Sequence, residues 1–453
     1  MASRRNDEPV LIDELGRNEL VHDVARDVAK RPAPLVIGVH GDWGAGKTSF
    51  LHQLHWRLSG DCPQQTEEER EQAKQISVLP DASHVTVIWF EAWRYQHETA
   101  PVVALLQEIR MQLPLVPKLW TGGKKLGEVA AQSALRSLEH VTKHLGFHAK
   151  KAREEGERWE REHHATPLPS FTIRKELEYA LKQILGKSKK GAPTPRLVVL
   201  VDDLDRCEPQ AAYRLLEGIK VYLNLSNCVF VLGMDQRIIQ SAIAKHLPEG
   251  APELPAVLAR DYLEKLCQDI RHLPMITAPE DVFVRWLGSY GDKDVFIKQA
   301  VRETRCLPAN ARKLKAFCNV LPRFLRSVPM GLTDGNLERE TRVALLVACL
   351  YHFHQDVYRI LEGHPRFYHD VLLPWAQGEP KRHPVLEGLK RTETPEEDRS
   401  ERYATISVGG LVPAYPDPAV GNYLRVQRLI HSLGAVTESE IMRYTSAPKV
   451  DHV

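Results

Sequence analysis

The feature that most constrains the fold is a glycine-rich segment between an apolar run and a helical run. Residues 35–39 read LVIGV, residues 41–48 read GDWGAGKT, and residues 49–58 read SFLHQLHWRL. A short β-branched apolar run is typical of a buried parallel strand. A G-x-x-x-x-G-K-T segment between such a strand and a helix is typical of a phosphate-binding loop. The order of strand, loop and helix therefore predicts a nucleotide site after residue 40.

The residue types of this loop suit a triphosphate and a magnesium ion. Glycines let the backbone turn tightly and bring its N–H groups against phosphate oxygens, which a Cβ would obstruct. Lys47 supplies a cation for the β and γ phosphates, and the Thr48 hydroxyl can ligate the Mg²⁺ that bridges them. A glycine-rich turn without a ligand is the alternative, which the flanking strand and helix disfavour. We expect ATP and Mg²⁺ to bind at Gly41, Asp42, Trp43, Gly44, Ala45, Gly46, Lys47, Thr48 and Ser49.

A second apolar run leads into acidic residues. Residues 197–201 read LVVLV and are followed by DDLDR. A carboxylate at the end of a buried strand can hold the shell of a Mg²⁺ ion or polarise the water that attacks a phosphate. We assign the first role to Asp202 and the second to Asp203, and the sequence leaves open which residue does which. An acidic turn without a role is the alternative, which the upstream loop disfavours.

Asp235 follows a further apolar run, residues 228–232. A polar residue at the end of a strand near the nucleotide could sense the γ phosphate. It could equally cap the helix predicted from residue 236. The sequence favours neither role over the other.

Apolar runs alternate with helical patterns through the first half of the chain. The predicted strands lie at residues 35–39, 84–90, 196–201 and 228–232. Strands that are apolar along their whole length and separated by helices predict a doubly wound parallel α/β sheet with both faces covered. Beyond about residue 248 helical patterns take over, such as residues 257–273 and 340–361. We therefore expect a core of residues 1–250, with a charged helical insertion at about 110–170, followed by a mostly α-helical region.

Composition excludes several classes of protein. The chain has 61 Lys and Arg against 59 Asp and Glu, so its net charge of +2 provides no overall field for coating nucleic acid. Seven scattered cysteines without a C-x-x-C pair favour neither a disulfide framework nor a zinc site. The longest apolar run, residues 343–351, is about half of a membrane span. We expect a cytoplasmic protein without a transmembrane segment.

Two weaker patterns lie between residues 120 and 190. Three histidines recur every four residues and could ligate a metal, but a solvated helix face is the preferred interpretation. Five lysines could contact phosphate backbone, but no aromatic residues are interleaved with them and linker charge is preferred. The residues are His140, His144, His148, Lys124, Lys125, Lys187, Lys189 and Lys190.

Four segments together resemble the KAP family of P-loop NTPases. They are GDWGAGKTS at 41–49, FEAWRYQ at 90–96, LVVLVDDLDRCEP at 197–209 and RDYLEKLCQDIRHLP at 260–274. The resemblance spans roughly residues 10–320. Residues 310–319, NARKLKAFCN, are similar to the N-P-R-x-(I/L)-K-R-x-x-N element of the family's helical lid, with Ala311 in place of the usual proline.

The resemblance implies an additional-strand, AAA-like ATPase core and a helical lid at 251–325. The C-terminal helical module expected at 326–453 lies beyond the resemblance and is predicted from the helical patterns alone. It makes Arg206 and Arg312 candidates for contacting the γ phosphate, in cis or from a neighbouring subunit. It also places Glu91 near the site, where it could orient water or magnesium. Trp93, in the same element, is expected to pack in the core.

The resemblance also implies a function. We expect an ATPase whose nucleotide state controls a conformational or oligomeric switch, with self-association, a separate protein effector and a role in bacterial antiphage defence. One alternative is a nucleic-acid-remodelling or translocating ATPase, which the near-zero net charge disfavours. Another is a nucleotide-dependent scaffold with little turnover. The absence of an N-K-x-D segment disfavours a GTPase.

Overall fold

The computed structural model describes ten stretches of the chain, which fall into two compact units. One unit contains Pro9–Pro274, and the other contains Met275–Val453 together with Met1–Glu8. Residues 114–170 of the predicted insertion, and the eight histidines and lysines named above, lie outside the described residues. The predicted domain boundaries stay predictions. The described stretches are residues 8–62, 66–98, 101–113, 177–179, 181–182, 185, 193–222, 224–246, 255–378 and 427–446.

A five-stranded parallel sheet forms the centre of the first unit. Its spatial order is β2-β3-β4-β1-β5. Strand β4 lies between β1, which leads into the glycine-rich loop, and β3, which leads into the acidic run. This order is the additional-strand arrangement, so the predicted fold class is confirmed. The strands are β1 (Leu35–His40), β2 (Val85–Glu91), β3 (Arg196–Asp202), β4 (Cys228–Met234) and β5 (Asp269–His272).

Helices cover both faces of the sheet. Side chains alternate along the strands, so that Ile37 and Val198 pack on one face in a cluster with Val24 of α1 and Leu54 of α2. The neighbouring Val199 packs on the other face, in a cluster supplied by α4 to α7. The described helices of this unit are α1 (Asn18–Lys30), α2 (Lys47–Ser59), α3 (Glu67–Ala73), α4 (Pro101–Gln112), α5 (Pro209–Tyr222), α6 (Gln236–Ala244) and α7 (Pro255–Leu266).

The prediction of a helix at residues 257–273 was wrong in its second half. Helix α7 ends at Leu266, and the chain then forms the edge strand β5, which pairs with β1 through Ile37 and His40. The strand reads DIRH and all four of its residues are only half-buried. Because β5 is held by backbone hydrogen bonds along one side, it needs little apolar character and its sequence does not show it.

The described part of the second unit is helical, as predicted. Its central helix, α11, packs against α9, α10, α12 and α14. None of the helices that the structure describes in either unit is long and apolar enough to cross a membrane. The described helices of this unit include α8 (Pro279–Leu287), α9 (Lys293–Thr304), α10 (Ala311–Arg326), α11 (Asp334–Phe353), α12 (Gln355–Gly363), α13 (Leu373–Ala376) and α14 (Glu438–Thr445).

Candidate active site

The glycine-rich loop connects β1 directly to α2. Gly44 and Gly46 adopt left-handed conformations, with φ of 80° and 95°. A Cβ on Gly46 would also lie 3.3 Å from Arg17 Nη1. The Gly41 N–H donates to the Met234 carbonyl at 3.2 Å, so the loop starts beside the end of β4. These positions require glycine and leave a tight turn at the N-terminus of α2, where backbone N–H groups favour an anion.

Lys47, the first residue of α2, lies deep in the site. Its side chain is 9 % exposed, and its Nζ donates to the Gly41 carbonyl at 2.9 Å and the Asp42 carbonyl at 3.3 Å. It also forms an ion pair with Asp205 Oδ2 at 2.9 Å. Asp205 was not among the predicted site residues. The third aspartate of DDLD was the available signal, but its contact with the loop depends on the sheet order.

Asp202 ends β3 and is almost fully buried, with 2 % of the residue exposed. Its carboxyl group accepts a hydrogen bond from the Thr48 side chain. Its Oδ1, however, has no hydrogen-bond partner among the described residues. Burial and the neighbouring charge of Asp203 raise the pKa of Asp202 to about 7. The two predicted magnesium ligands are therefore adjacent, and one buried carboxylate oxygen is left for a cation.

This donor set fits Mg²⁺ bound together with phosphates. A hydroxyl and a carboxylate are hard oxygen ligands, and Mg²⁺ commonly takes one or two protein ligands plus phosphates and water. Among the residues that the structure describes, no group of three or more His, Cys, Asp or Glu side chains is arranged to hold a metal. Thr48 and Asp202 supply two such oxygen ligands, so they suit a magnesium ion that binds together with a nucleotide.

Asp203 begins the turn after β3 in a strained conformation. Its φ is +55°, a left-handed value that is uncommon for a residue other than glycine. Burial raises the pKa of its carboxyl group, although Arg206 opposes this shift. Arg206 Nε lies 2.8 Å from Asp203 Oδ1. The Arg206 guanidinium carbon is also 5.1 Å from the ring centroid of Trp43, in the glycine-rich loop. Arg206 therefore lies between the predicted catalytic carboxylate and the loop, and its predicted contact with the γ phosphate stays a prediction.

Glu91 ends β2 and pairs in register with Asp202 on the neighbouring strand. It lies at the same edge of the sheet as the acidic turn, and its side chain forms an ion pair with Arg94. Trp93 was expected to pack in the core, but it is 48 % exposed. It falls in a short 3₁₀ turn, Ala92–Tyr95, in which Ala92 is the buried residue. The prediction for Trp93 was therefore wrong, and the role of Glu91 stays a prediction.

Asp235 caps helix α6. Its Oδ1 accepts the backbone N–H of Arg237 at 3.0 Å, so the structural one of its two predicted roles is observed. The Arg237 side chain reaches Asp235 Oδ2 at 2.8 Å and Asp42 Oδ1, in the glycine-rich loop, at 2.6 Å. His40 Nδ1 accepts the N–H of Gln236 at 2.9 Å. Burial lowers the pKa of His40 to about 4, which keeps this nitrogen available as an acceptor.

Arg17, just before α1, is a second residue that the sequence did not reveal. Only 5 % of it is exposed. Its guanidinium donates to the Ala45 carbonyl at 2.6 Å and to the Pro274 carbonyl at 2.8 Å. Asp13 accepts the backbone N–H groups of Arg17 and Asn18. Arg17 therefore joins the glycine-rich loop to the segment after β5, a contact that only the folded chain makes visible.

Ser49 and Arg312 complete the predicted residues. The Ser49 hydroxyl accepts the N–H of Val10 at 3.2 Å, so it anchors the N-terminal segment. Arg312 is the second residue of α10, in the other unit. Asn310 caps that helix by accepting the N–H of Lys313 at 3.1 Å, which puts Ala311 at the first helical position, where proline is favoured. The predicted contact between Arg312 and a γ phosphate stays a prediction.

Comparison with known families agrees with this geometry. The model of the KAP family P-loop domain matches residues 19–269, which is more than half of the chain. The matched region contains β1 to β4 and the loop that bears Lys47, and it ends at the first residue of β5. No curated protein matches the sequence.

Proposed function

Because the chain belongs to the KAP family of P-loop NTPases, we propose that it binds MgATP and hydrolyses it to ADP and phosphate. One observation carries this proposal. Asp202 has a buried carboxylate oxygen without a hydrogen-bond partner among the described residues, and the Thr48 hydroxyl lies beside it. An ionised carboxylate in such surroundings is costly unless a cation binds it. A magnesium ion bound with a nucleotide meets that need.

The phosphates bind along the loop in this proposal. Backbone N–H groups of residues 41–48 and the Lys47 ammonium hold the β and γ phosphates, and Thr48 and Asp202 hold the Mg²⁺. The ion neutralises the charge that develops on the phosphate oxygens. Lys47 already lies within the loop, since two loop carbonyls and Asp205 fix its position. The Lys47 ammonium is therefore in place before the nucleotide binds.

Asp203 is the proposed base. A water oxygen attacks the γ phosphorus, the bond from that phosphorus to the ADP oxygen breaks, and Asp203 accepts the proton of the water. The raised pKa of Asp203 makes it a better proton acceptor than an exposed aspartate. Asp203 also forms an ion pair with Arg206. When the Asp203 carboxylate rotates toward the attacking water, the Arg206 guanidinium is released and can contact the γ phosphate. Glu91 and Arg312 are the further candidates for orienting water and contacting phosphate.

The nucleotide cycle controls a conformational or oligomeric switch in this proposal. Support comes from the family, whose members commonly switch or assemble on binding ATP, and from the second helical unit, which bears Arg312. We assign the chain to the ATPase component of a bacterial antiphage system, with a separate protein effector. This assignment rests on the family's known relatives, which include proteins that exclude phage.

One experiment separates this function from its alternatives. The full chain is assayed for MgATP binding by calorimetry, for phosphate release, and for mass by light scattering, with and without DNA or RNA. Turnover that rises with self-association supports the proposed switch. Turnover stimulated by nucleic acid alone favours a remodelling ATPase, and binding without turnover favours a scaffold. If MgATP does not bind, the proposed function is wrong.

A further inference from the structure

The strand order separates the two parts of the candidate phosphate site. Because β4 lies between β1 and β3, the glycine-rich loop and the acidic turn are not on neighbouring strands. A residue that links them must pass over the end of β4. Asp205 does so from the turn after β3. Its Oδ2 lies 2.9 Å from Lys47 Nζ and accepts the Asp235 N–H at 3.2 Å. One carboxylate oxygen thus bridges the loop cation and the backbone at the end of β4.

Arg237 makes a second link from the other side of this strand end. It projects from the first turn of α6, and its Nη2 lies 2.6 Å from Asp42 Oδ1 and 2.8 Å from Asp235 Oδ2. Its Nε also donates to Asp235 Oδ1 at 3.1 Å. Lys47 Nζ donates to the Asp42 carbonyl at 3.3 Å, which closes the set of contacts. The loop is therefore tied to the end of β4 near both of its ends, at Asp42 and at Lys47.

The burial of these groups makes their geometry important. The side chains of Lys47 and Asp205 are 9 % and 2 % exposed, so their ion pair is well shielded from water. In such an environment a charge is worth most when it is held at a fixed position before the reaction. A lysine ammonium is carried on a flexible four-carbon side chain. A partner at a fixed position restricts the rotation of that side chain before the nucleotide binds.

We propose that Asp205 and Arg237 are positioning residues that hold Lys47 and the glycine-rich loop in register with the end of β4; this inference rests on the proposed ATPase function. Asp205 fixes the ammonium that stabilises charge on the γ phosphate during hydrolysis. Arg237 fixes Asp42, at the start of the loop. A bound phosphate competes with Asp205 for the Lys47 ammonium. Because the same Asp205 oxygen also accepts the Asp235 N–H, weakening of the ion pair affects Asp235, the cap of α6.

The test compares kcat with KM in purified full-length protein. Asp205→Asn keeps an acceptor for the Asp235 N–H but removes the charge that holds Lys47, and Arg237→Gln removes the tie to Asp42. We expect kcat to fall at least about tenfold in the first and about threefold in the second, a barrier increase of ~1.4 kcal/mol for tenfold. KM for MgATP should stay within about threefold, because Lys47 and the loop N–H groups still bind phosphate.

A second ion pair in the same unit provides the matched controls. Asp269 and Arg31 are 3.0 Å apart, between the start of β5 and the end of α1. Asp269→Asn and Arg31→Gln should leave both kcat and KM at wild-type values. If Asp205→Asn and Arg237→Gln behave like these controls, or raise KM without lowering kcat, the inference is wrong.

Stability and binding measurements keep the result unambiguous. Melting temperatures identify any variant that is unfolded at the assay temperature. If Asp205→Asn is unfolded there, the half-exposed Arg237 decides the outcome. Wild-type kcat in Arg237→Gln then overturns the inference. If the wild-type protein neither binds nor hydrolyses MgATP, the proposed function fails first, whereas wild-type turnover that is unchanged in both variants overturns only the positioning role.

Discussion

Two regions of the molecule bury carboxylates to a similar extent but give them different partners. Asp202, at the end of β3, is 2 % exposed, and its Oδ1 has no hydrogen-bond partner among the described residues. Glu440, in α14 of the helical unit, is 9 % exposed. Its carboxylate accepts a hydrogen bond from Arg339 Nε at 2.8 Å. It also accepts hydrogen bonds from the backbone N–H and the hydroxyl of Thr437, at 2.6 Å and 2.7 Å. One carboxylate is incompletely satisfied and the other is fully paired.

Their pKa values move in opposite directions. Burial and the charge of Asp203 raise the pKa of Asp202 to about 7. Burial also opposes ionisation of Glu440, but hydrogen bonds from Arg339 and Thr437 outweigh it and lower that pKa to about 2. A buried carboxylate whose oxygens are all hydrogen-bonded stabilises the fold, whereas one that keeps a buried oxygen without a partner costs stability and is a candidate ligand site. The contrast therefore separates a site for ligand binding from a structural cluster.

Removal of the loop cation should have the largest effect on the first region. In Lys47→Ala we expect MgATP affinity to fall at least about 100-fold, because the phosphates lose a buried, positioned charge. Calorimetric titration of the full chain measures this change. Lys74→Ala is the matched control, since Lys74 is exposed and pairs with Glu71 in α3. A loss of less than tenfold in Lys47→Ala would show that the loop does not bind phosphate as proposed.

Removal of the proposed base should affect turnover but not binding. In Asp203→Asn we expect kcat to fall about 100-fold or more, the range for loss of a general base, with MgATP affinity within about threefold. Phosphate release and calorimetry measure the two quantities. Asp61→Asn, a change at a carboxylate whose side chain is 67 % exposed, should alter neither. Wild-type turnover in Asp203→Asn would mean that another group activates the water.

The main elements of this site could be predicted because each is continuous in sequence. The loop bearing Lys47 and the acidic run at Asp202 each follow a strand that is apolar throughout, and parallel strands bring their carboxyl ends to one edge. Asp205 and Arg17 could not be found in this way. Their partners are far away in sequence, and their contacts depend on which strands and segments are neighbours in space.

Two elements of the molecule differ from their predictions for similar physical reasons. Strand β5 has one apolar residue in four, and its stability comes from backbone pairing with β1 rather than from side-chain burial. Trp93 was expected to be buried because it is large and apolar, yet the turn after β2 buries Ala92 and leaves the indole half-exposed. In both cases the prediction from local composition was wrong, because the path of the backbone determines whether these side chains are buried or exposed.

Neutral variants of the two carboxylates should change stability in opposite directions. Asp202→Asn removes a charge whose burial is poorly compensated, so the melting temperature of nucleotide-free protein in EDTA should stay the same or rise. Glu440→Gln leaves Arg339 without its partner charge, and we expect the free energy of unfolding of the helical unit to fall by about 2 kcal/mol. Thermal denaturation measures both. Equal destabilisation by the two changes would remove the distinction between the regions.

The smallest expected effect is the acid dependence of the Glu440 contribution. Its folded pKa of about 2 lies below the unfolded value of 4.5, so its stabilisation is present above pH 4.5 and is lost as pH falls toward 2. The difference in melting temperature between wild type and Glu440→Gln should therefore be largest at pH 7 and shrink by pH 3. Glu71→Gln, at a carboxylate whose side chain is 59 % exposed, should show a small difference throughout. A gap for Glu440→Gln that persists unchanged at pH 3 would mean that shape, rather than the charge paired with Arg339, makes this carboxylate stabilising.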